Sequence, residues 1–169
     1  MRLSHSQSAG MTLVESSMAT TIAAFFLSSV FAINISSMQT VKRAREAAAA
    51  SQVLQQRIES LRIANWHQVT DANFLKSDAK QLGADAPGSE ALKGISEQLT
   101  LVPYGSSAVG NTQIVRSNGV STIINNNQTL LAENAIKVIW TLTYTGNPND
   151  QTMTRQVVAI LAKGGVAKW

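Results

Sequence analysis

The chain is 169 residues long, carries a formal charge of +4, and is 44% hydrophobic but only 14% charged. That balance excludes a disordered chain and leaves material for one modest core, and the absence of cysteine excludes a disulfide framework and a thiolate metal site. Beyond Arg2 the positive residues are spread from Lys42 to Lys168 among acids, with no basic cluster interleaved with aromatics, so nucleic acid is not expected as a partner.

At the N-terminus Ser8-Ala9-Gly10 precedes a long apolar run, and Glu15 stands just inside that run after Met11-Thr12-Leu13-Val14. A secretory signal peptide places its small-residue cleavage site after the apolar region, so processing discards it. Here the order is inverted, and a cut at Gly10 would keep the apolar segment. The arrangement resembles the type III signal of type IV pilins and of the pseudopilins of type II secretion. The resemblance implies that a prepilin peptidase cleaves after Gly10 and methylates the new N-terminus at Met11. Residues 1–10 would then be a leader peptide and Glu15 the fifth residue of the mature chain.

Glu15 also has a physical argument of its own. A carboxylate at mid-bilayer costs roughly 2.5 to 3.5 kcal/mol on insertion scales. No Lys or Arg occurs between Glu15 and Lys42, so the segment supplies no counter-ion one or two turns away. By the resemblance the partner is the Met11 ammonium of a neighbouring subunit, a contact that sets axial register during assembly. The plainer reading is that Glu15 complements the helix dipole, an effect of about 0.3 to 1 kcal/mol.

From Ser16 to Val41 about 26 residues pass without formal charge, more than the roughly 20 needed to cross a hydrocarbon core. Ser16, Ser17, Thr20, Thr21, Ser28, Ser29, Ser36, Ser37 and Asn34 lie among Phe25, Phe26, Leu27, Phe31 and Ile33, a mixture that suits close helix contacts in lipid as well as a mildly polar anchor. Lys42, Arg43 and Arg45 outweigh Arg2 and His5, so the positive-inside rule favours the opposite topology. The pilin-like signal implies a leader in the cytoplasm and a C-terminal domain in the periplasm, anchored in the bacterial inner membrane. Residues 11–41 are thus expected to form the transmembrane and assembly half of a helix.

Past the span, Val41, Ala44, Ala48, Leu54, Ile58 and Leu61 recur at helical spacing with Lys42, Arg43, Arg45, Glu46, Arg57 and Glu59 between them. The helix is therefore expected to continue over residues 42–64 and to pack one face on a domain. Many major pilins bend the membrane helix at a proline, and Ala32 stands at the matching place here.

Residues 65–97 read as a connector, with Trp66, Phe74 and Leu75 as isolated anchors, a short helix from Asp71 to Leu82 capped by Asp71, and a turn-rich Gly83 to Ser89 stretch. Alternation then predicts strands over Gln98–Val102, Gln113–Arg116, Gly119–Ile124, Ala135–Thr145 and Thr152–Lys163, making residues 98–169 an antiparallel sheet region. Ile136, Val138, Trp140, Leu142 and Tyr144 share one face, with Trp140 as core. The expected fold class is α+β and pilin-like: a long N-terminal helix laid on a small antiparallel sheet.

Trp140-Thr141-Leu142-Thr143 and Arg155-Gln156-Val157-Val158 resemble the closing hairpin of minor pilins and I-type pseudopilins. Gly146 to Asp150 reads as the hairpin turn, because it lacks the several carboxylates that a calcium site prefers. His67 has no acid or nucleophile pattern beside it and reads as a surface residue, and no catalytic site, metal or cofactor is expected. The resemblance implies a minor pilin or pseudopilin that primes or tips a filament. Its partners would be prepilin peptidase, other pilins or pseudopilins through the helix, inner-membrane lipid and an inner-membrane assembly platform. The alternatives are a single-pass anchored periplasmic binding module and a membrane-anchored hydrolase.

Overall fold

The computed structural model describes residues 13–105, 110–146 and 150–164. The chain divides into two units at Val41/Lys42, and a single helix, α1 (Leu13–Ile63), contributes to both.

In the first unit α1 is exposed all round, with Leu13, Ile22, Phe25, Phe26, Phe31 and Ile33 among its large apolar residues. It is long and apolar enough to cross a membrane by length and composition. It carries no helix-breaking residue over this stretch, since Ala32 occupies the position at which a proline would bend it.

In the second unit α1 is amphipathic. Ala50, Val53, Leu54, Arg57, Ile58 and Leu61 are its buried residues, and the spacing of three and four puts them on one stripe. The stripe packs on a five-stranded antiparallel sheet of order β3-β2-β1-β4-β5. The strands are β1 (Lys93–Pro103), β2 (Thr112–Ser117), β3 (Val120–Asn125), β4 (Ala135–Gly146) and β5 (Gln151–Ala162). β4 has the pattern that the sequence predicts: Ile136, Val138, Trp140, Leu142 and Tyr144 all lie in the core. Leu99 and Leu101 of β1 pair with Trp140 and Val138 on the same face. Fully burying each such aliphatic side chain contributes about 1.5 to 3 kcal/mol.

Between helix and sheet the structure differs from the sequence expectation in three places. Asn65 starts a separate short helix, α2 (Trp66–Thr70), through a reciprocal capping box with Gln68. Asp71 does cap the next helix, accepting from Asn73 N–H, but α3 (Ala72–Ser77) stops five residues before Leu82, with Asp78 in extended geometry as its C-cap. β1 begins at Lys93 rather than Gln98, so the connector ends at Leu92. A register shift between Lys93 and Ser96, beside Gly94 at φ +57°, obscures the alternation there.

The β2–β3 hairpin closes on Asn118-Gly119, both at positive φ, between the paired residues Ser117 and Val120. This is the two-residue turn that matches strand twist, and it moves the start of β3 from Gly119 to Val120.

Candidate functional site

Of the residues singled out for processing, Gly10 and Met11 lie outside the described residues. Glu15 is in the first turn of α1 and exposed, where the unpaired N–H groups and the dipole favour a carboxylate. The hydroxyls that follow are turned onto their own helix. Ser17 donates to Val14 O at 2.8 Å, Thr21 to Ser17 O at 2.8 Å, Ser28 to Ala24 O at 2.8 Å and Ser29 to Phe26 O at 2.8 Å. Each is thereby satisfied within one chain, so a neighbouring helix would gain close approach at these positions without having to supply acceptors.

The second unit holds a polar centre that sequence reasoning missed. Arg57, on the core stripe of α1, is 2% exposed, and Glu97 of β1 is 1% exposed. The guanidinium meets the carboxylate through two bonds, Nε to Oε2 at 2.9 Å and Nη2 to Oε1 at 2.7 Å. Trp140 Nε1 donates to Glu97 Oε2 at 3.2 Å, and the Arg57 guanidinium lies 5.7 Å from the Trp140 ring centroid. Two further donors of Arg57 go to the connector, Nη1 to Gln81 O and Nη2 to Ala84 O at 2.8 Å.

Arg116 of β2 repeats the device from the sheet side. It is paired in register with Glu97, donates Nη1 to Leu82 O at 3.0 Å, and reaches Asp85 Oδ1 through Nε at 3.1 Å and Nη2 at 2.9 Å. Ser121 of β3 also donates to Leu82 O. Residues 81–85, which have no regular structure of their own, are thus held by one arginine from the helix and one from the sheet.

The sequence did carry a signal for this centre. Val53, Arg57 and Leu61 fall at intervals of four on one stripe, and Glu97, Leu99 and Leu101 alternate at period two. Reading both as solvent-side charge or connector reversed their burial. The arrangement is a structural clamp, because the Arg57 donors and the Glu97 oxygens are engaged with each other, with Trp140 or with backbone carbonyls.

His67 is exposed on α2. Trp66 beside it donates Nε1 to Leu131 O at 3.1 Å, anchoring α2 to the short 3₁₀ helix Gln128–Ala132 before β4. Among the described residues, no group of three or more His, Cys, Asp or Glu is placed to hold a metal ion. Of the turn between Gly146 and Asp150, residues 147–149 lie outside the described residues, and Gly146 pairs with Gln151 across it as in a hairpin. Scanned against protein-family models, curated proteins and solved structures, the chain matches none of them.

Proposed function

We propose that the protein is a pilin-like structural subunit, a minor pilin or pseudopilin, processed after Gly10 and methylated at Met11. It waits in the bacterial inner membrane with its sheet domain in the periplasm, and is drawn through its helix into a filament that it primes or tips. Its role is assembly, with no chemistry of its own. Its partners are prepilin peptidase, other subunits of the same class and an inner-membrane assembly platform.

The observation that carries the reading is the order Gly10, Met11, Glu15 at the head of a 51-residue helix. That helix is apolar and exposed on all sides up to Met38 and becomes amphipathic where it meets an antiparallel sheet. Such a helix has one part suited to lipid and to other helices and another suited to holding a domain. The test is the intact mass and N-terminal sequence of membrane-extracted protein from cells with and without prepilin peptidase. A chain starting at Met11 with one added methyl, found only when the peptidase is present, is the expected result. A chain starting at Met1 in both overturns it.

A second reading has one observation in its favour. A half-open cleft of about 630 Å³ lies between the end of α1, the start of α2 and the end of β5, lined by Leu61, Trp66, Val69 and Leu161 among others. An anchored periplasmic module would use it to bind an apolar ligand. That reading requires neither cleavage nor helix packing, so the mass measurement separates the two.

A further inference from the structure

The two edges of the sheet are built differently. β3, at one end of the strand order, is six residues long, and a register shift at Gln113/Ile114 interrupts its pairing with β2. β5, at the other end, runs twelve residues, paired to β4 in one register from Ala135↔Ala162 to Gly146↔Gln151. Sheets that avoid partners blunt their edges with proline, lysine, bulges or short strands. β3 is blunted by its length and its bulge. β5 has no proline or lysine between Gln151 and Ala162, and its single charge is Arg155.

Two hydrogen bonds just past the strand ends fix which backbone groups face outward. Lys163 N–H donates to Asn134 O at 2.8 Å, and Tyr104 N–H donates to Ala135 O at 3.0 Å on the other side of β4. Successive residues of a strand direct their backbone groups to opposite sides. The odd-numbered residues of β5 therefore face β4. Thr152, Thr154, Gln156, Val158, Ile160 and Ala162 turn N–H and C=O away from the sheet, where no strand among the described residues pairs with them. The side chains of Met153, Val157, Ala159 and Leu161, on the helix-facing side, are only partly covered by their own chain.

We infer that this edge pairs with β5 of a second copy of the chain, antiparallel, about a two-fold axis through Val157. The register is self-selecting. Centred on Val157, every outward residue meets another: Thr152 with Ala162, Thr154 with Ile160, Gln156 with Val158. Moving the centre to Gln156 sets Ala162 against Asp150, whose φ of 49° is left-handed and cannot extend a ladder. Moving it to Val158 sets Thr152 against Gly164, at φ 106°.

On the helix-facing side the Val157 register puts Met153 against Leu161 and Val157 against its own copy. Arg155, the one charge, meets the small Ala159, so no like charges stand opposite each other. Pairing completes the cover of a row that one chain leaves half open, and the main-chain bonds supply the affinity in the manner of strand addition. The inference is independent of the filament proposal, because an anchored module would pair in the same way.

The chain has no cysteine, so one introduced thiol reports the contact. Residues facing each other in a non-hydrogen-bonded antiparallel pair have Cα atoms about 4.5 Å apart, within disulfide range. The full chain in detergent micelles carrying Val157→Cys is expected to form a disulfide-linked dimer on mild oxidation, whereas Val120→Cys on the β3 edge stays monomeric. Adding Gln156→Pro removes an outward N–H and the exposed side-chain bond from Gln156 Nε2 to Thr141 Oγ1 at 3.3 Å, and leaves the backbone ladder to β4 in place. It should cut cross-linking about tenfold, as the loss of edge hydrogen bonding and of close fit requires, while lowering the thermal midpoint no more than Gln156→Ala, which loses the same side-chain bond.

A Val157→Cys chain that stays monomeric overturns the inference, as does cross-linking that Gln156→Pro leaves untouched. Cross-linking that appears only after residues 165–169 are deleted would give the edge to the chain's own C-terminal residues. A mixed disulfide with another protein in place of the self-dimer would give it to a foreign strand. Either outcome also overturns the second-copy assignment.

Discussion

Arg57 and Glu97, forty residues apart, meet as a two-bonded ion pair at the junction of helix and sheet, with side chains 2% and 1% exposed. A buried ion pair is weak evidence for net stability, because desolvation offsets most of the attraction. Its consequence is specificity: the charge on α1 is satisfied only when β1, Trp140 and the carbonyls of Gln81 and Ala84 are all in place. The pair ties the helix to the sheet and to the connector at one point.

The pair should therefore respond asymmetrically to mutation. Arg57→Met leaves the Glu97 carboxylate buried with Trp140 as its remaining donor and strips two connector carbonyls, a loss of about 3 to 5 kcal/mol. Glu97→Gln keeps the Arg57 bonds to Gln81 O and Ala84 O and offers an amide oxygen, so about 1 to 3 kcal/mol is expected. Urea unfolding of the two variants, read by tryptophan fluorescence, tests the order. Equal losses would show that the connector carbonyls do not depend on Arg57.

Arg116 and Asp85 make a second pair whose members are unequal in burial, 8% against 72% exposed. Asp85→Ala removes an exposed partner and should cost less than about 1 kcal/mol. Arg116→Ala also removes the guanidinium bond to Leu82 O, which keeps only its bond from Ser121, and should cost about 1 kcal/mol more. A thermal midpoint that falls equally for both would contradict the role given to the carbonyl contact.

Gly83 sits where the connector closes on the end of α3, its N–H donating to Asp78 O at 2.8 Å. A Cβ there would lie 2.1 Å from Ser77 O and 2.5 Å from Ser77 C, and both are backbone atoms that have no rotamer to yield. Gly83→Ala should destabilise by about 1 to 3 kcal/mol or more through forced backbone movement. Gly119→Ala meets nothing within 4 Å but must hold φ +77°, at about 1 to 2 kcal/mol. Protease susceptibility should rise around residues 78–92 for the first variant and at the β2–β3 hairpin for the second.

The long elements were legible because their burial is periodic. Leu54, Ile58 and Leu61 mark one stripe of α1, although Val41, Ala44 and Ala48 of the expected face are exposed and the stripe begins at Ala50 and Val53 instead, and Ile136 to Tyr144 alternate without exception. What was not legible was buried charge. Arg57 occupies a core position of the α1 stripe and Glu97 one of the alternation in β1, but their charge argues for solvent, and only the distant partner reverses the argument. The connector failed for a related reason. Residues 81–85 are held by arginines on α1 and β2, a dependence that no local propensity encodes. At the candidate processing site the sequence carries the whole argument, since Gly10 and Met11 lie outside the described residues.

Glu15 offers the sharpest test of the filament proposal. In the first turn of α1 its carboxylate gains about 0.3 to 1 kcal/mol from the helix end, well short of the roughly 2.5 to 3.5 kcal/mol that a charge costs deep in a bilayer. Glu15→Val removes that cost, so membrane insertion should be at least as efficient as in the wild type. Glu15→Gln keeps the shape and some hydrogen bonding but loses the charge. If Glu15 pairs with the N-terminal ammonium of an adjacent subunit, both variants should accumulate in the membrane with processing intact. Their incorporation into filaments should fall at least about tenfold, the effect of losing about 1.4 kcal/mol of contact. Cleavage state, membrane fraction and sheared-filament fraction from the same cells separate these steps. Filaments of normal yield from Glu15→Val would remove Glu15 from assembly and leave it as a complement to the helix dipole.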